Sequence, residues 1–140
     1  MSINYSSVMK SLWLKSTLIN KQLNNSLGYV HGIGLSEYMV LNSLFESPNK
    51  TMTRIDLAES IGRTASGVTK MLLPMEKIGL IQKESGARDA RVSLVKLSKV
   101  GERLFKDATT SLEQKSEQIL SNLNAKQTNE FLNCLDLLKD

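Results

Sequence analysis

The segment from Ile61 to Ile81, I-G-R-T-A-S-G-V-T-K-M-L-L-P-M-E-K-I-G-L-I, constrains this chain most. It reads as a turn, a helix and the opening of a strand. Gly62 can take the positive φ that stops a preceding helix, and Thr64 is placed to cap the next one, over 65–78. Val68, Met71, Leu72, Met75 and Ile78 recur at helical spacing, so one face seeks a core. The other face carries Ala65, Ser66, Thr69 and Lys70. Such short or basic groups can lie in a DNA major groove without clashing. An ordinary amphipathic surface helix has the same pattern, so the neighbouring segments must decide. Pro74 removes one backbone hydrogen bond from this helix and is expected to bend it.

The 140 residues suit one domain, or one domain with an oligomerisation arm. Glycine and proline are few, at eight and two, which favours a mostly helical chain. Aromatic residues make up 5%, so the core is lean. The net charge of +4 is unevenly spread. Residues 63–106 hold ten Lys/Arg against four Asp/Glu, whereas 107–140 hold three against six. Positive charge is thus concentrated around the opening segment, as a phosphate-binding surface requires; a solvated basic face is the plainer alternative.

The lone Cys134 excludes an internal disulfide, and no metal-ligand cluster accompanies the lone His31. The N-terminal sequence does not read as a signal peptide, and no apolar run is long enough to span a membrane. A cytoplasmic location is expected, with no cofactor. No Ser/His/Asp, Cys/His or paired-carboxylate arrangement emerges, so an enzyme is not indicated.

Taken in order, 5–27 lacks Gly and Pro and places Val8, Leu12, Ile19, Leu23 and Leu27 near one face, with Met9, Trp13 and Leu14 beside it. So much apolar surface suggests packing against a second copy of the chain. Gly28, Gly32 and Gly34 then break the pattern. Ser36 is expected to cap a helix over 37–47 that turns Tyr38, Leu41, Leu44 and Phe45 inward and stops at Pro48. Thr51–Met52 suits a short strand. Thr53 with Asp56 resembles a capping box for a helix over 54–61 that buries Leu57, Ala58 and Ile61. Ala58 and Gly62 have the spacing of a helix-turn-helix. Beyond Gly79, β-prone runs at 80–84 and 91–97 flank 85–90 as a hairpin with a basic tip. Ser98 caps a helix over 99–121. Asn124 with Gln127 opens a last helix, 125–139, that is expected to bury Phe131, Leu135 and Leu138, with Cys134 a buried small hydrophobe beside them.

The stretches T-A-S-G-V-T-K-M-L-L-P-M-E-K-I-G-L-I and R-D-A-R-V-S-L-V-K-L-S-K-V-G resemble the MarR family of bacterial transcriptional regulators. The second holds that family's D-x-R wing motif, followed by its L-[ST]-x-x-G helix start. The resemblance implies a mainly α fold with a small β-hairpin wing. A winged helix-turn-helix DNA-binding domain would span 35–98, and 1–34 with 99–140 would form a helical dimerisation region. It implies a homodimer on double-stranded DNA, each recognition helix in a major groove and each wing in a minor groove. Ser66, Thr69 and Lys70 would face the major groove, next to the capping Thr64. Arg91 would be the wing arginine, held by Asp89, and Arg88 and Arg63 would touch phosphate or groove. Many such proteins bind small aromatic or amphipathic effectors between arm and winged domain. Trp13, His31 and Tyr38 lie in segments placed to line such a pocket, although packing is the more ordinary role for each. A winged-helix module that binds protein instead of DNA is the alternative, and the basic excess of 63–106 argues against it.

Overall fold

A computed structural model describes residues 2–86 and 91–140. Helix α1 (Tyr5–His31) leads to α2 (Leu35–Glu46), a 3-10 turn (Pro48–Lys50) and strand β1 (Thr51–Thr53). Helices α3 (Arg54–Ser60) and α4 (Ala65–Lys77) follow, then strands β2 (Ile81–Ser85) and β3 (Ser93–Leu97) and helices α5 (Lys99–Ile119) and α6 (Ala125–Asp136). The strands form one antiparallel sheet in the order β1-β3-β2. Thr51 faces Lys96 on one side of β3, and Ile81 faces Leu97 on the other. Among the described residues no helix is long and apolar enough to cross a membrane.

Three expected helix starts hold because each cap is local. Thr53 Oγ1 accepts the Asp56 N–H, Ser98 Oγ accepts that of Gly101, and Asn124 with Gln127 closes a full capping box. Two other boundaries are set from outside. The Gly28 break does not occur: α1 continues to His31 and ends at Gly32, whose φ is +71°. A glycine costs a helix only about 1 kcal/mol. The buried Leu27 and the bond from His31 to Ser111 of α5 lie on either side of Gly28 and offset it. Ser36 does not cap α2, which starts one residue before it. The free N–H of Leu35 is taken by Asn24 Oδ1 of α1, at 2.6 Å, and Gly34 is the cap residue.

The core gathers Leu27, Val40, Leu41, Leu44, Leu57, Val68, Leu72, Ile81 and Val95, from α1 through β3. Tyr38 and Phe105 stack with ring centroids 5.2 Å apart, and Phe45 lies 4.9 Å from Phe105, which fastens α2 to α5. In β3, Val95 and Leu97 turn inward while Leu94 and Lys96 are half-buried on the other face. The adjacent Leu94 and Val95 therefore belong to opposite sides.

Several apolar residues are not covered. Ile78 ends α4 in an exposed position, and Ile61 is only half-buried. Helix α6 buries nothing: Phe131, Leu135 and Leu138 remain partly exposed, as does Cys134. The expected burial of those four residues does not occur within one chain.

Gly101 is buried in α5, where an added Cβ would run into the Leu80 carbonyl oxygen. Gly28 is also helical but exposed, with its nearest neighbour, the Ile33 carbonyl, 4.0 Å away. Gly101→Ala should destabilise the fold by at least the ~1–3 kcal/mol typical of overpacking, because main chain cannot step aside. Gly28→Ala should stabilise it by roughly 0.5–1 kcal/mol. Urea unfolding of the two variants checks the opposite signs.

Candidate nucleic-acid interface

Helix α4 is built by its two ends. Thr64 Oγ1 accepts the Gly67 N–H at 3.1 Å, and a Cβ on Gly67 would stand only 3.0 Å from that oxygen. At the other end Gly79, with φ +82°, donates to the Glu76 carbonyl, and Leu80 donates to that of Met75. This is the Schellman arrangement. The helix is continuous through Pro74, which is exposed, so the Lys70 carbonyl that loses its donor is next to solvent. Val68, Leu72 and Met75 fix the helix on the core.

With that face buried, Ser66 and Lys70 point outward, as their spacing suggested. Leu73 and Lys77 continue the same stripe, and Leu73 is 48% exposed. Leu73 escaped attention in the sequence because it adjoins the core residue Leu72, yet it lies three residues from Lys70 and seven from Ser66.

Thr69 is different. It is half-buried, and its hydroxyl is engaged twice within the protein. It donates to the Ala65 carbonyl at 2.9 Å and accepts from Arg54 Nη1 at 2.9 Å. Arg54, the first residue of α3, is half-buried, and its Nε is buried without a hydrogen-bond partner among the described residues. A buried donor left unpaired costs about 1–3 kcal/mol, more on a charged group. The signal in the sequence was a cation in the first turn of a helix, against the helix dipole.

Arg63 follows Gly62, whose φ is +66°, and its N–H bonds back to the Ala58 carbonyl. Its guanidinium donates to Ser36 Oγ at 2.6 Å and so ties the helix-helix turn to the start of α2. Together with Asn20, Asn24, Leu35, Met39 and Ile61 they line a cleft of about 220 Å³ between α1 and this turn. That tie accounts for an arginine where helix-turn-helix turns usually carry an apolar residue.

The wing leaves the sheet with Gly86 donating to the Val92 carbonyl at 3.0 Å. Arg91 stands exposed at its base, and it lines a second cleft, of about 450 Å³, with Thr53, Arg54, Ile55, Asp56, Val92 and Ser93. The start of α3 and the foot of the wing are thereby brought together beside α4. Arg88 and Asp89, expected at the wing tip, lie outside the described residues.

Trp13, His31 and Tyr38 do not converge. Trp13 is 68% exposed and sits five helical turns, roughly 27 Å, from His31 along α1. His31 Nε2 lies 2.7 Å from Ser111 Oγ, and Tyr38 OH lies 2.7 Å from Thr109 Oγ1, so both side chains are held by α5. Among the described residues no group of His, Cys, Asp or Glu side chains is arranged to hold a metal.

Residues 33–93 match the model of the MarR family. No protein of curated function matches the sequence. Among solved structures, the chain is similar to Sco3205 of Streptomyces coelicolor, a MarR family transcriptional regulator in complex with DNA. Their TM-score is 0.88 at 20% identity, over 98% of this chain and 88% of that one. It is similar to BldR, a transcriptional regulator of Sulfolobus solfataricus, with TM-score 0.82, 21% identity and 94% and 93% of the two chains covered. PcaV of Streptomyces coelicolor, a regulator in complex with its natural ligand, gives TM-score 0.81 at 19% identity over 97% and 94%. These likenesses establish the winged helix-turn-helix fold.

Because Thr64 holds the first turn of α4, Thr64→Ala should cost about 1 kcal/mol of stability and Thr64→Ser little. Thermal unfolding followed by circular dichroism separates the two.

Proposed function

We propose that this chain, whose residues 33–93 match the model of the MarR family, is a cytoplasmic regulator of transcription that binds a pseudo-palindromic operator as a homodimer. The observation that carries the proposal is the outward stripe of α4. With Val68, Leu72 and Met75 committed to the core, Ser66 and Lys70 are presented on a rigid capped helix. Lys70 is suited to a guanine edge or a phosphate. Thr64 and Arg63 stand at the end of α4 that would approach the backbone, and Arg91 at the foot of the wing shares a cleft with Arg54, whose guanidinium reaches Thr69 of α4. An arginine there gains from the negative potential of a narrow minor groove, and Asp89 two residues before it is suited to hold its guanidinium. Arg88, three residues before Arg91 in the sequence, adds a further positive charge. The basic excess of 63–106 supports the proposal.

The homodimer rests on the faces left open. Val8, Met9 and Trp13 near the start of α1, and Phe131, Leu132, Leu135 and Leu138 on or just beyond α6, are all more than a third exposed. Among the described residues none covers them, and clusters of exposed apolar side chains along a helix mark an interaction surface. A second copy joined through α1, α5 and α6 would cover both and place two copies of α4 side by side.

In this reading the protein represses by occupying its operator, and a small aromatic or amphipathic effector releases it. The supporting feature is the cleft between α1 and the α3–α4 turn, where Leu35, Met39 and Ile61 offer apolar contact and Arg63 a charge. A ligand there would compete with the Arg63–Ser36 bond. PcaV, a structural relative, was solved with its natural ligand.

Light scattering at micromolar concentration should report twice 15.6 kDa, and a folded monomer would contradict the homodimer. In fluorescence anisotropy with the DNA upstream of its own gene, Lys70→Ala should lose roughly 1–3 kcal/mol of binding. Arg91→Ala should lose a similar amount with unchanged dimer mass and melting temperature. Affinity should fall linearly with log salt as counterions are released. Wild-type protein that binds no DNA at low salt would sink the proposal.

A further inference from the structure

We infer that Arg54 is a positioning residue that makes Thr69 read DNA through its methyl group, so that the operator carries a thymine opposite it. The inference rests on the DNA-binding reading of α4.

A helical threonine divides its side chain between two rotamers, because its hydroxyl can bond the carbonyl one turn back. Here that bond is made, to Ala65 at 2.9 Å. It consumes the only proton the hydroxyl has. Arg54 Nη1 then donates into the same oxygen at 2.9 Å, from a separate helix, and favours this rotamer over the other. What remains of the hydroxyl is one lone pair on a half-buried side chain. It has no proton for a guanine or thymine acceptor. The group on Thr69 without a polar partner is the methyl, and in the major groove a small apolar group finds its match in the thymine C5-methyl. Thr69 borders the exposed stripe of Ser66, Lys70 and Leu73 and is only half-buried, so this position reaches the edge of the presented face.

Arg54 is built for holding. Its guanidinium is half-buried, its Nε is buried without a partner, and among the described residues no carboxylate lies within ion-pair distance. The planar fork loses less freedom per bond than a lysine would.

The test uses the full chain and needs no known operator. Duplexes bound from a random-sequence pool are isolated, and each thymidine is replaced in turn by deoxyuridine, which removes only the C5-methyl. Wild type should lose about three- to fivefold in affinity at one thymidine per half-site, the worth of one buried methyl. Thr69→Val, which keeps a methyl and whose rotamer is already fixed in a helix, should retain that sensitivity. Thr69→Ser, which keeps the hydroxyl and the Arg54 bond, should abolish it. Arg54→Met should reduce it below twofold with an unchanged salt dependence. Sensitivity that survives in Thr69→Ser, or a selected duplex with no sensitive thymidine, overturns the inference alone. So does an Arg54→Met variant that lowers the salt slope by about one while keeping the full effect, since Arg54 would then be a phosphate contact. A pool that yields no bound sequence overturns the DNA-binding reading itself, and this inference with it.

Discussion

The carbonyl of Leu80 and the residues around it join the two halves of this molecule. Leu80 donates to Met75 to close α4, and its own carbonyl accepts the Ser98 N–H at 3.1 Å. Ser98 Oγ donates to the neighbouring Gly79 carbonyl and accepts from Gly101 at the start of α5. Gly101 is a glycine because a side chain there would meet the Leu80 carbonyl. The end of the candidate recognition helix and the beginning of the long α5 are therefore one hydrogen-bonded unit. A shift of α5 relative to its surroundings would be passed to α4 through main chain, which bends less readily than a side-chain contact.

That rigidity gives the uncovered faces their consequence. Helix α1 is held along α5 by Leu27 and by the His31–Ser111 bond, while its first turns and all of α6 have no core within the chain. Amphipathic helices gain most of their stability from packing and little from propensity. That α6 buries no residue supports the proposed homodimer. In the proposed homodimer the spacing of the two α4 helices is then fixed by α1, α5 and α6, and the Leu80 joint carries that spacing to the DNA-facing surface.

On that surface the division of labour among the polar residues of α4 follows from hydrogen-bond capacity. Lys70 is exposed and Ser66 makes only a long contact of 3.5 Å to Thr64 Oγ1, whereas Thr69 has spent its proton on Ala65 and received Arg54. Arg63 is likewise engaged, with Ser36. Side chains of the same polarity and similar spacing thus differ in what they can offer, and the difference arises from residues 15 and 27 positions away in sequence.

The features legible in the sequence are those decided within a few residues. The caps at Thr53, Thr64, Ser98 and Asn124, the turns at Gly62 and Gly79, the core face of α4 and the hairpin all follow from side chains reaching their own backbone or from a helical or strand period. The motifs carrying the family resemblance are of the same local kind. Only the tertiary structure decided that α1 passes through Gly28, that Asn24 and not Ser36 serves the start of α2, that Arg54 occupies Thr69, and that His31 and Tyr38 answer to α5 and do not meet Trp13. Each of these depends on a partner 11 or more residues distant. Residue spacing along one element carries no information about which atom of another element comes to rest beside it.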